Sequence, residues 1–268
     1  MLGQGNRASW EARAARAEEL AAKHPFAAEV LRFYASIARY QKTVFEKLSS
    51  GSAVRRVGAN LSLPELDPGA LVPYFPGLLK VVEKSGPAAL AARARELAPR
   101  GERSWRTLLE SFRPETSGIE TDSFFVLTLA QPYAEYLLTG ATLPESGGSQ
   151  STCPACGASP AVVVLRPEGD GGRRSLLCSL CATEWNYLRS RCPACGEEKH
   201  GSLPVYRAVQ FDYIRVDACD TCHTYLNTID LTKNGLAVPQ VDELAAIPLS
   251  LWAEEHGYRK LQKNLMGL

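Results

Sequence analysis

No apolar run in the 268-residue chain approaches the roughly 18–20 residues that cross a bilayer, so nothing in it reads as a membrane span. Net charge is nearly absent too: +1 overall, with eight Lys or Arg against nine Asp or Glu between residues 151 and 232. Proteins that neutralise many phosphates carry a visible basic excess, so the balance argues against a general polyanion binder and leaves only a local basic patch. The sequence also lacks a Gly-rich phosphate loop, a nucleophile motif and an acid and base pair at telling spacing, which argues against an enzyme. Its first residues have no apolar signal core, and "NRASWEARAARAEELAAKHP" holds too many glutamates for a mitochondrial transit peptide. They read as the first helix of a cytoplasmic chain.

What is also missing is a solitary cysteine. All eight fall in Cys-x-x-Cys pairs: Cys153 and Cys156, Cys178 and Cys181, Cys192 and Cys195, Cys219 and Cys222. Cysteines serving as small core hydrophobes scatter singly, whereas pairs at this spacing are metal knuckles or redox motifs. In a reducing compartment they are more often ligands than disulfides.

The chain divides by composition. With 45% hydrophobic and 22% charged residues it is an ordinary globular sequence long enough for about two domains. Residues 1–143 read as an all-helical domain. After Pro25, the positions Phe26, Val30, Phe33, Ile37, Tyr40, Val44 and Leu48 form one helical stripe that ends at "SSGS", residues 49–52. Further helices are expected near 68–85, with Asp67 as cap and Pro68 in the first position, then at 87–98, 102–112 and 122–139, where Pro132 implies a kink or break. Trp10 and Trp105 belong to the core. Residues 144–152, "PESGGSQST", read as a flexible linker. A short helical segment, 233–268, closes the chain, with Asp242 near the start of one helix, "LWAEEHG" ending another, and Leu251 and Trp252 as packing residues.

Between linker and C-terminal helices the sequence repeats itself. "CPACG" occurs at 153–157 and 192–196, an offset of 39, and the second pairs recur at an offset of 41. Each half, 153–188 and 189–232, has the form of a pair, a hairpin and a second pair, slightly longer than a zinc-ribbon spacing. Two knuckles brought together by a hairpin complete a tetrahedron of thiolates, and Gly157 and Gly196 allow the left-handed backbone such turns require. Cys178 and Cys181 can in principle join either neighbouring pair. Duplication favours one site per copy: Cys153, Cys156, Cys178 and Cys181 in the first, Cys192, Cys195, Cys219 and Cys222 in the second. Zinc and a single rubredoxin-like iron both suit such a site, and the spacing does not choose between them. His200 and His223 lie close enough to substitute as ligands, but each quartet is already complete, which makes them surface residues.

The fold class is therefore α+β: a helical N-terminal domain, two tandem rubredoxin-like or zinc-ribbon modules, and a helical C-terminus. Trp185 and Arg189, in the segment joining the modules, are candidate partner contacts, on the reasoning that an exposed Trp beside arginines often anchors an interface. Arg173, Arg174, Arg189 and Arg191 with Trp185 and Tyr187 are the candidate nucleic-acid patch, disfavoured by the local charge balance.

The stretches "CPACG", "LCSLCATEWNYLRSRCPACG", "ACDTCHTYL" and "LWAEEHGY" resemble the FdhE family of formate dehydrogenase accessory proteins. The second is the most specific, through Thr183, Glu184, Trp185 and Arg189. The sequence departs from the family at Asn227, where Lys is common. The resemblance implies a non-catalytic cytoplasmic factor that binds the catalytic subunit of a respiratory formate dehydrogenase during assembly, with metal, associated with iron in such proteins, on the eight cysteines. Two other classes compete with it: an electron-transfer or redox-sensing iron protein, and a nucleic-acid-binding ribbon.

Overall fold

The computed structural model describes residues 7–51, 67–111, 121–141, 148–169 and 171–268. The first four residues of the expected linker (144–147), Ser52 at the end of the first long helix and Asp170 in the first hairpin turn lie outside them.

The N-terminal half is helical: α1 (Trp10–Lys23), α2 (Ala28–Ser50), α3 (Pro68–Leu71), α4 (Phe75–Ser85), α5 (Ala88–Leu97), α6 (Gly101–Ser111) and α7 (Thr121–Leu137). Ser9 caps α1 by accepting from the Ala12 N–H, and Asp67 caps α3 by accepting from the Gly69 N–H, at the start the sequence marks. The stripe on α2 is real: Phe33, Ile37, Val44 and Leu48 are buried, while Phe26, in the 3-10 turn before the helix, is exposed. Trp10 and Trp105 are buried as expected.

The helix α7 is not broken at Pro132. A proline there deprives the Thr128 carbonyl of its usual donor, and the buried Gln41 of α2 supplies one, its Nε2 lying 3.0 Å from Thr128 O. Gln41 also donates to Gln131 Oε1 at 2.9 Å, and Gln131 Nε2 donates to the Ser179 carbonyl at 3.0 Å. One line of amides thus runs from α2 through α7 to the peptide between Cys178 and Cys181.

Among the described residues seven strands follow: β1 (Pro160–Glu168), β2 (Gly171–Cys178), β3 (Glu184–Asn186), β4 (Val205–Arg207), β5 (Ile214–Cys219), β6 (Thr224–Asp230) and β7 (Arg259–Lys260). They form a single sheet in the order β3-β2-β1-β6-β5-β4, with β7 also against β6. Each repeat contributes three antiparallel strands. The last strand of the second repeat joins the first of the first in parallel, Val162 to Asn227 through Leu165 to Asp230. The two modules are therefore fused edge to edge in the same orientation.

Helices α8 (Pro239–Ala245) and α9 (Ile247–Glu255) stitch this sheet to the helical domain. Val241, Leu244 and Ala245 pack with α1 and α2, and Leu249 and Ala253 pack with Val162, Val216 and Ile229 of the sheet. Asp242 does more than begin a helix. It is fully buried and accepts from Arg16 Nε at 3.0 Å, 226 residues away. Leu251, expected to pack, is 54% exposed, while Trp252 stacks at 4.1 Å on His256. Asn227 is buried on β6 and donates to Ser250 Oγ at 3.1 Å.

Candidate metal centres

The four knuckles are built alike. In each first knuckle the cysteine N–H reaches across the turn, Cys153 to Ala158 O at 2.9 Å and Cys192 to Glu197 O at 2.8 Å, and the glycine N–H returns to the cysteine carbonyl. Gly157 and Gly196 are left-handed, with φ of 74° and 79°, as the sequence predicts. The second knuckles demand the same conformation without a glycine: Ala182 and His223, each following the second cysteine, have φ of 51° and 53°. His223 thus serves a backbone turn, and neither it nor His200 joins a sulfur cluster.

These turns gather the sulfurs by repeat. Cys153, Cys156, Cys178 and Cys181 form one quartet, and Cys192, Cys195, Cys219 and Cys222 the other, all ligand atoms within 4.8 Å of one another. In the first, Sγ separations are 3.6 Å for Cys153–Cys181 and 3.4 Å for both Cys156–Cys178 and Cys156–Cys181. In the second, Cys192–Cys222 and Cys195–Cys219 are 3.8 and 3.7 Å. All eight thiols are free, and the distances are far beyond the roughly 2.05 Å of a disulfide. A tetrahedron with metal–sulfur bonds of about 2.3 Å places its sulfurs about 3.8 Å apart, so both quartets fit one tetrahedral, thiophilic ion apiece.

Backbone N–H groups point at the sulfurs: Ala155 to Cys153, Leu180 to Cys178 and Ala194 to Cys192, each at 3.4 Å. Two hydroxyls add to them. Thr183 Oγ1 lies 3.2 Å from Cys181 Sγ and Thr224 Oγ1 lies 2.9 Å from Cys222 Sγ. Burial opposes ionisation of both thiols, yet hydrogen bonds from the neighbouring sulfurs and Thr183 hold Cys181 well below the ordinary thiol range. At Cys222, Thr224 and the facing thiols likewise outweigh burial and bring the value down to about 7. Their partners move the other way: burial pushes Cys178 well up and Cys219 to about 12. A thiophilic cation would supply the positive charge that ionises all four thiols of a quartet. The two threonines were legible as a repeated Cys-x-Thr in "CATEW" and "CHTYL", a signal that counting cysteines overlooks.

The sites differ in their surroundings. All four sulfur-bearing residues of the first are buried in a core shared with Phe124, Leu129 and Tyr133 of α7. In the second, Cys192 and Cys219 are buried, Cys222 is partly so and Cys195 is exposed. One centre is thus sealed inside the molecule and the other meets solvent.

The junction segment corrects one expectation. Trp185 is not exposed: it is 2% accessible, lies in the same core as the first quartet, and donates from Nε1 to Gln150 O at 2.8 Å. Its large apolar body packs where a strand crosses that core, so the exposure on which the partner reading rested is absent. Arg189 is exposed and bonds to the Gly172 carbonyl. Tyr187 and Arg174 are buried as well, so the arginines and aromatics suggested as a nucleic-acid patch do not share an exposed surface.

Two sulfur quartets on edge-fused ribbons, backed by a helical domain, define a two-site four-cysteine ribbon protein. Family models described as "FdhE, central domain" and "FdhE, C-terminal domain" match residues 152–189 and 190–266. A protein FdhE homolog of Aquifex aeolicus is 31% identical over 91% of this chain and 90% of its own length. One from Pseudomonas aeruginosa is 29% identical over 99% of this chain and 92% of its own length. The crystal structure of the FdhE protein from Pseudomonas aeruginosa superposes with a TM-score of 0.77 at 25% identity, covering 98% of this chain and 97% of that one. The chain belongs to the FdhE family. Among the described residues no helix is long and apolar enough to cross a membrane.

Proposed function

We propose that the chain is a non-catalytic, cytoplasmic maturation factor for formate dehydrogenase. It binds the catalytic subunit of a respiratory formate dehydrogenase during assembly, through its helical domain and its ribbons. Cys153, Cys156, Cys178 and Cys181 ligate one metal ion, iron or zinc, and Cys192, Cys195, Cys219 and Cys222 a second. The observation that carries this reading is the pair of complete sulfur quartets in a chain of the FdhE family. Bound metal would supply the cross-link that keeps each ribbon folded, and at an iron centre a one-electron couple. Arg189 is the junction residue left for partner contact, being exposed beside the second site.

Affinity purification of the tagged full chain from its native cytoplasm tests the proposal. Recovery of a formate dehydrogenase catalytic subunit, weakened by Arg189→Ala with metal content unchanged, is the expected result; its absence under formate-respiring growth would refute the reading. A second reading, one-electron redox chemistry at the outer site, is favoured by the exposure of Cys195. Anaerobically isolated protein that is colourless and carries only zinc would remove it.

A further inference from the structure

Beside the outer quartet lies an open cleft, about 500 Å³ of empty space if the solvent at its mouth is included. Its walls include Cys192 and Cys219 together with four arginines, Arg174, Arg189, Arg191 and Arg215, and a single carboxylate, Asp217. That carboxylate is shared, 2.8 Å from Arg215 Nε and 3.7 Å from Arg174 Nη2. Among the described residues Arg191 pairs with the exposed Glu198 at 3.6 Å, and Arg189 spends a bond on the Gly172 carbonyl.

Arg174 is the informative member. It is 6% exposed, its Nη1 is committed to Leu188 O at 2.7 Å and Arg191 O at 3.2 Å, and its buried Nε has no hydrogen-bond partner among the described residues. A buried cation whose one carboxylate is shared carries a desolvation penalty that a second anion in the cleft would offset. The forked geometry of guanidinium groups suits planar or tetrahedral oxyanions over halides.

We propose that this cleft is a binding site for an oxyanion, a carboxylate or a phosphate- or sulfate-like group, held by Arg174, Arg189, Arg191 and Arg215 next to the outer metal centre. It would do so whether or not the chain serves formate dehydrogenase. The competing explanation is that the arginines only balance the negative charge of the thiolate centre. That role needs no ligand in the cleft, so anion binding itself separates the two explanations.

Calorimetric titration of the zinc-loaded full chain with sodium sulfate, at ionic strength held constant with chloride, is the test. Saturable binding of one sulfate per chain is expected, weakened about tenfold or more by Arg189→Gln and by Arg215→Gln, with zinc content unchanged in both variants. Arg189, being exposed, gives the variant least able to disturb the fold. Unsaturable heats, or binding equal in wild type and both variants, would mean an adventitious ion only and overturn the proposal. So would failure of wild type to bind together with loss of zinc from the variants, which would make the arginines counter-charges to the metal site. Competition then identifies the source: displacement of sulfate by acetate indicates a small free anion, and displacement by an acidic peptide but not by acetate indicates a polypeptide carboxylate. Either is an oxyanion and supports the site.

Discussion

At the scale of single residues, the knuckles show how much a backbone angle can hide. Glycine after the first pair of each repeat announces a left-handed turn, and Gly157 and Gly196 adopt it. Ala182 and His223 adopt it against their own preference, because closing the sulfur cage requires that turn whatever residue stands there. Ala182→Gly should therefore stabilise the metal-loaded protein by about 0.5–1 kcal/mol, relief of the left-handed strain exceeding the added chain entropy of glycine; equilibrium denaturation measures it, and a loss of stability would contradict the assignment. Gln41 is the second such residue. Nothing in its sequence neighbourhood marks it, yet it supplies the bond that Pro132 removes from α7 and holds the amide line toward Ser179. Gln41→Leu should cost about 1–3 kcal/mol by stranding buried polar groups, read as a lowered melting midpoint with both metals retained.

At the scale of elements, periodicity and punctuation carried the reading far. The α2 stripe, the Asp67 cap and the hairpin between β1 and β2 follow from local spacing, and local spacing is what a sequence displays. Exposure of a short strand is not local. Whether Trp185 of β3 faces water depends on what packs across the sheet, and it is buried in the core that also holds α7 and the first quartet. Trp185→Ala should then destabilise the protein by about 3–5 kcal/mol and release the inner metal with it, as thermal denaturation and metal analysis would show; intact stability with lost partner binding would restore the contact role.

At the scale of the whole molecule, the sulfur grouping was legible because the duplication wrote it twice, at offsets of 39 and 41 residues. The fusion of the repeats was not. Parallel pairing of β1 with β6 and the Arg16–Asp242 ion pair join residues far apart in the chain, where no periodicity extends. The helical half and the inner ribbon share one core, while the outer site remains open to solvent and to the arginine cleft. The same asymmetry separates a centre fit to hold the structure from one fit to meet a reagent or partner.

The most direct test of this account is metal analysis with X-ray absorption spectroscopy on protein purified without oxygen. Two ions per chain, each surrounded by four sulfurs at about 2.3 Å, is the predicted result. A single ion, oxygen or nitrogen in the inner shell, or sulfurs bonded in pairs would contradict it.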